Sequence, residues 1–224
     1  MKVTTDACLF GAWAASKISK SEGRSRRMLD IGTGTGLLSM MMHQVHPDLQ
    51  IDAVEIDPLA ANQANENVEI NNLSGKIRII NNNINKLEVT NHYDLIISNP
   101  PFYQNELISG HTQKDLAHHS TELLLDEVFH SINMHLAADG TFMLLLPCKR
   151  LSEINKLSEE NDLCVIEQCL VRESERHGFT RIMLKGKADF NAEATKETSI
   201  NIRSQPGIYS REFNELLKPF YLYL

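Results

Sequence analysis

Apolar positions along this chain follow two alternating periods. Short, nearly continuous aliphatic runs occur at 26–31 (R-R-M-L-D-I), 51–56 (I-D-A-V-E-I), 76–80 (K-I-R-I-I), 93–98 (Y-D-L-I-I-S) and 141–146 (T-F-M-L-L-L). Their length and β-branched content predict strands, the last of them buried on both faces. Between them, apolar residues recur at helical spacing. G-L-L-S-M-M-M-H-Q-V-H (36–46) predicts one helix. Asp57 followed by Pro58 is an N-cap with proline at the first helical position, starting a helix that runs to about Asn72, where L-S-G stops it. Leu124, Val128, Ile132 and Leu136 fall four apart and predict a helix capped by Ser120 or Thr121 and ended by Gly140.

After Pro147 the pattern changes. A helix over 151–160 leads to L-C-V-I-E-Q-C-L-V-R (163–172), a turn E-R-H-G (175–178) and F-T-R-I-M-L-K-G (179–186). Two strands joined by a short turn predict an antiparallel hairpin. Repeating β–α units followed by that hairpin predict an α/β, Rossmann-like fold. Its mostly parallel sheet has about seven strands, covered by helices on both faces, with one strand reversed in the C-terminal hairpin. A single domain spans 1–224, with 1–25 as an N-terminal loop and helix and 26–224 as the core sheet and helices.

Composition removes some classes. A hydrophobic fraction of 42% and a charged fraction of 23% describe a folding chain, not a disordered one. No apolar stretch approaches the roughly 20 residues of a membrane helix, so no membrane partner is expected. Asp6 interrupts the place where a secretory leader needs its apolar region. Cys8, Cys148, Cys164 and Cys169 form no C-x-x-C pair and no zinc spacing, which suits reduced thiols in the cytoplasm and gives no metal site. His118 and His119 have no further ligands at metal spacing, and read as an exposed loop pair or as part of a substrate loop. The net charge of −7 excludes a uniformly basic nucleic-acid binder. Two local basic segments remain as candidate phosphate contacts: Lys17, Lys20, Arg24, Arg26 and Arg27, and Arg172, Arg176, Arg181, Lys185 and Lys187.

Chemistry first becomes specific at D-I-G-T-G-T-G, Asp30 to Gly36, where the first strand meets the first core helix. Gly32, Gly34 and Gly36 let the backbone turn sharply and admit a ligand close to the main chain. Glu55, at the end of the second strand, is placed to accept ribose hydroxyls. The spacing is G-x-G-x-G rather than the dinucleotide G-x-G-x-x-G, and Asp30 would repel a pyrophosphate while suiting the ammonium of a methionine moiety. A glycine-rich turn with no ligand is the bland alternative. The pattern resembles motif I of the class I S-adenosylmethionine-dependent methyltransferases. That resemblance implies S-adenosyl-L-methionine as cofactor and gives Asn83 a place beside its adenine, where relatives often carry Asp; a plain polar loop residue is the equal alternative there.

The tetrapeptide Asn99-Pro100-Pro101-Phe102 follows the fourth strand directly. Two prolines fix φ and leave no N–H at 100 or 101, so this turn can only accept. A main-chain carbonyl and the Asn99 side-chain oxygen match the two N–H groups of an exocyclic amine, and Phe102 offers a stacking face. The sequence resembles motif IV, N/D-P-P-Y/F/W, of amino-methyltransferases acting on adenine N6, guanine N2 or protein glutamine N5.

The opening M-K-V-T-T-D-A-C-L-F-G-A-W-A, the segment ending A-H-H-S (117–120) and the tail G-I-Y-S-R-E-F-N-E-L-L-K-P-F-Y-L (207–222) narrow this further. Together they resemble bacterial tRNA N6-adenine methyltransferases acting on adenine 37 of a valine tRNA, along the whole chain. That likeness implies Asn99, Pro100 and Phe102 as catalytic, Thr5 and Asp6 beside the cofactor, and a tRNA anticodon loop as partner. Members of that group usually carry an F-x-F-K-like segment before M-K-V, which this sequence does not show. Trp13 reads as core. The competing readings are an rRNA guanine N2-methyltransferase, a protein glutamine N5-methyltransferase, and a non-catalytic module that only binds the cofactor.

Overall fold

The computed structural model describes residues 3–19, 26–88, 92–101, 123–188 and 194–223. The parallel strands are β1 (Arg26–Ile31), β2 (Leu49–Glu55), β3 (Ile77–Asn81), β4 (Tyr93–Ser98) and β5 (Leu136–Pro147). They are followed by β6 (Cys164–Arg172), β7 (Arg181–Lys187) and β8 (Lys196–Asn201), and the sheet order is β3-β2-β1-β4-β5-β7-β6-β8. β7 alone of these strands runs against its neighbours, as the hairpin predicts. β9 (Arg203–Gln205) and β10 (Ile208–Tyr209) form a separate small hairpin.

The sheet therefore has one strand more than the pattern suggests. β8 reads K-E-T-S-I-N, mostly polar, and pairs parallel with β6 at the sheet edge. An edge strand with one buried residue, Ile200, carries no apolar alternation to detect.

Helices cover both faces. α1 (Thr5–Ser16), α2 (Leu37–Val45), α3 (Pro58–Ile70) and α6 (Arg211–Leu217) close one core, which includes Phe10, Trp13, Met28, Leu145 and Phe213. α4 (Leu125–His135) and α5 (Leu151–Glu160) close the other over Leu29, Phe129, Phe142 and Leu146. Asp57 caps α3 through the Leu59 N–H at 3.0 Å, with Pro58 in the first turn, as predicted. No helix among the described residues is long and apolar enough to cross a membrane.

The limits of α4 differ from expectation. Ser120 and Thr121 lie outside the described residues. The helix starts at Leu125, where the Leu124 N–H donates to Glu127 Oε2 at 2.9 Å. It ends at His135, because Leu136 already pairs with Tyr93 in the sheet. Gly140 lies inside β5, where a Cβ would meet the Ala137 carbonyl at 2.8 Å. It gives room within a strand rather than ending a helix.

Candidate active site

The chain runs β1 to β2 to β3 in one direction across the sheet, then returns to place β4 on the other side of β1. Ile31 is level with both Val54 and Ser98. This is a topological switch point, and the crevice above it, at the carboxyl edge, is where open α/β sheets bind ligands. The glycine turn and Asn99 both leave the sheet there.

Gly32, Gly34 and Gly36 have φ of +69°, +60° and +84°, a region that strains any residue with a Cβ. The turn is pinned by main-chain bonds from Gly32 and Thr33 N–H to the Val54 carbonyl, at 2.9 and 3.0 Å. The Gly34 N–H donates to Glu55 Oε2 at 2.8 Å, and Asn67 on α3 donates to the Thr35 carbonyl at 2.9 Å.

Asp30 is fully buried beneath this turn. Its Oδ2 accepts from the hydroxyls of Thr33 at 2.6 Å and Ser39 at 2.7 Å, while Oδ1 has no partner among the described residues. Burial pushes its pKa up to about 6 against those two hydrogen bonds. The carboxylate therefore fixes the turn from below and keeps one unfilled acceptor. Glu55 also braces the turn: Oε1 accepts from the Asp57 N–H at 2.9 Å and Oε2 from Gly34. Each oxygen retains a lone pair for a ribose hydroxyl. Asn83 stands past the end of β3 and uses its Oδ1 to accept the Asn85 N–H at 2.9 Å, capping the short turn Ile84–Lys86.

On the other side of the switch point, Ser98 donates to the Ile31 carbonyl at 2.7 Å and ties the end of β4 to the end of β1. Asn99 follows, with its Oδ1 buried and unpartnered among the described residues. Pro100 is buried and Pro101 exposed. A buried carbonyl oxygen without a donor is costly, and most such groups in folded proteins have a partner. An N–H brought by a ligand would satisfy it. Phe102, His118 and His119 lie outside the described residues.

Thr5 and Asp6 sit in the first turn of α1, behind the Thr4 cap, not in a loop. Asp6 pairs with Arg181 at 3.1 Å, and Arg181 is level with Pro147 at the carboxyl end of β5. The helix start is thereby held at the same edge as the glycine turn. Trp13 is buried, as expected.

The basic segments divide differently from the sequence reading. Arg26 and Arg27 begin β1, at the opposite edge of the sheet, and face Asp48 and Asp52. Lys17 pairs with Glu167 at 2.5 Å, and Lys185 donates to the Lys17 carbonyl. Lys187 ends β7 far from the crevice. Only Arg172, Arg176 and Arg181 of the second segment belong to the carboxyl edge; Lys20 and Arg24 lie outside the described residues. Ser39, Thr33 and Ser98, which hold the site in shape, were missed because small hydroxyl residues give no pattern until the fold places them.

The donor set fits a nucleoside with a cationic amino-acid tail. Glu55 offers ribose acceptors, three glycines leave the backbone open, and Asp30 supplies negative charge. No group of three or more His, Cys, Asp or Glu suited to a metal occurs among the described residues.

A family model described as methyltransferase small domain matches residues 14–144. A curated tRNA1(Val) (adenine(37)-N6)-methyltransferase of Dyadobacter fermentans is 35% identical over 99% of this chain and 91% of its own length. One of Yersinia pestis is 33% identical over 99% of this chain and 88% of its own. Among solved structures, a predicted O-methyltransferase of Agrobacterium tumefaciens shares the fold with a TM-score of 0.72 at 14% identity, covering 97% of this chain and 98% of that one.

Proposed function

The chain belongs to the tRNA1(Val) (adenine(37)-N6)-methyltransferase family, and from that premise we propose that it methylates N6 of adenine 37 in the anticodon loop of a valine tRNA, using S-adenosyl-L-methionine. The observation that carries the reading is the buried Asn99 oxygen, without a partner among the described residues, beside Pro100 and across the switch point from the glycine turn.

The residues divide the work. Asp30, Gly32, Gly34, Gly36 and Glu55 hold the cofactor, with Asn83 toward its adenine and Thr5 and Asp6 at the rim. When bound, the cofactor supplies a methyl group on a positively charged sulfur. Asn99 Oδ1 and the Pro100 carbonyl accept both N–H bonds of the target amine. An aromatic amine is a poor nucleophile because its lone pair is delocalised into the ring. Holding both hydrogens favours a pyramidal nitrogen and turns the lone pair out of the ring, toward the crevice. As nitrogen gains its bond to the methyl carbon, the carbon–sulfur bond would break with its electron pair left on sulfur, giving S-adenosyl-L-homocysteine; the nitrogen becomes cationic and acidic, and the proton leaves to water through the same acceptors. Phe102 stacks on the base. No strong base is required, so rate comes from positioning and from fixed carbonyl dipoles.

Substituting Asn99→Ala is expected to lower kcat by at least about a hundredfold, as for a lost preorganised polar contact. Cofactor affinity, read by calorimetry, should be unchanged; equal loss of both would refute this division of labour. Identity of the product is tested by radiolabelled methyl transfer to tRNA from a strain lacking the enzyme, followed by nucleoside analysis and mapping. N6-methyladenosine at position 37 is the expected product. N2-methylguanosine, or label in protein, would overturn the assignment.

A further inference from the structure

The end of β6 and the start of β7 both lie at the carboxyl edge, so the turn joining them, residues 173–180, projects beside the crevice. Leu184 of β7 is level with Leu144 of β5, which is level with Ser98 of β4. Arg181 therefore lies two strands across from Asn99, about 10 Å, and about 7 Å further out along the strand direction. The turn is built to hold its shape. The Thr180 N–H donates to the Val171 carbonyl at 2.9 Å, and the Cys148 N–H to the Thr180 carbonyl at 3.1 Å. The His177 N–H bonds the Ser174 carbonyl, and the His177 ring bonds the Ser174 hydroxyl at 2.8 Å.

At this pinned turn Phe179 is 39% exposed. The Arg172 guanidinium lies over its ring, 4.8 Å from the centroid, and is itself oriented by Asn201 at 2.6 Å. Single exposed apolar residues are ordinary. This one differs in its rigid mounting, its cationic backing and its surroundings. Arg172, Arg176, Arg181, Arg203, Lys149 and Arg150 belong to the segments that meet the sheet at this edge, Arg181 paired with Asp6, Arg203 with Glu173 and Arg150 with Glu153.

We propose that Phe179, backed by Arg172, is a stacking platform for a nucleotide of the anticodon loop that flanks the target adenine. Phe179 is a positioning residue, and its role rests on the tRNA reading above. A flat π-face over a guanidinium receives any base, while the surrounding cations meet the phosphates on either side. Phe179 lies just before Arg181, which is itself set two strands across from Asn99, so the platform suits a neighbour of the reacting base, not that base itself.

The test compares wild type with Phe179→Ala, Phe179→Trp and Phe179→Leu, using an anticodon stem–loop RNA and measuring kcat, KM for RNA and the cofactor Kd separately. For Phe179→Ala we expect KM for RNA to rise about tenfold, the size of one lost base–aromatic stack. Values of kcat and cofactor Kd should stay within about twofold of wild type. Trp should restore KM and Leu should not. An unchanged KM in the Ala variant, or rescue by Leu equal to that by Trp, would overturn the platform while leaving the tRNA reading intact. Failure of the wild-type protein to methylate the RNA would overturn both.

Discussion

Asp30 holds a charge where water cannot reach it. Its folded pKa, pushed up to about 6 by burial, lies above the ordinary aspartate value of about 4. At pH below about 4 the group is protonated in both states and contributes no penalty. Between about 4 and 6 the unfolded chain ionises while the folded one keeps its proton, so stability falls as pH rises; above about 6 the loss is constant, about 3 kcal/mol. An Asp30→Asn variant should therefore be more stable than wild type at neutral pH by an amount that shrinks toward zero near pH about 4. Denaturant titrations across that range would show it, and a pH-independent difference would contradict the buried-charge account. The same variant should bind the methyl donor at least about tenfold more weakly, having lost the negative charge under the turn. The charge destabilises the free protein, and a cationic ligand above the turn would offset that cost, as the proposed cofactor site requires. The identity of Asp30 was legible from the G-x-G-x-G pattern. Its burial and its two hydroxyl partners were not, because Ser39 and Thr33 reach it only after the turn has folded.

Elements were legible where one period dominated. The strands Arg26–Ile31 and Tyr93–Ser98 and the helix Leu151–Glu160 match their patterns residue for residue. Glycine was the less dependable marker. Gly36 ends a turn as expected, whereas Gly140 and Gly186 serve strand packing. Gly186, read as the end of the hairpin strand, is paired with both Phe142 and Val165. A Cβ there would come within 2.6 Å of the Cys164 carbonyl and would strike the Phe142 ring. Backbone cannot move aside as a flexible side chain can, and Phe142 is fully buried against Phe129. Gly186→Ala should destabilise the protein by about 1–3 kcal/mol or more, lowering Tm at all pH values without changing the ratio of kcat to KM in the protein that remains folded. A neutral effect on Tm would mean that the β5–β7–β6 seam is looser than this packing requires. The requirement for a small residue comes from a ring more than forty positions earlier in the chain, which no local pattern records.

At the scale of the whole molecule, the question is how a chain of net charge −7 binds an RNA. Composition could exclude only a uniformly basic surface; the fold decides where the cations go. Several of the sequence-level candidates are spent on internal pairing. Arg27 closes on Asp52, which Arg78 and the Tyr93 hydroxyl also contact, the latter at 2.8 Å, and Lys17 closes on Glu167. The cations of the carboxyl edge are themselves partly paired, Arg181 with Asp6, Arg150 with Glu153 and Arg203 with Glu173, and these carboxylates dilute their field. This predicts a small electrostatic share in binding. Each phosphate neutralised on a single strand contributes about 0.7 to the slope of log affinity against log salt, so about three contacts give a slope near −2. Fluorescence anisotropy with an anticodon stem–loop, repeated over a series of KCl concentrations, measures it. Arg176→Gln should flatten the slope by about one contact and weaken binding alike for loops of different sequence. Phe179→Ala should instead shift the whole line and leave the slope in place, because stacking releases no counterions. A wild-type slope of about −6 would require a broad phosphate-binding surface that the carboxyl edge does not provide, and would move the RNA to another face of the protein.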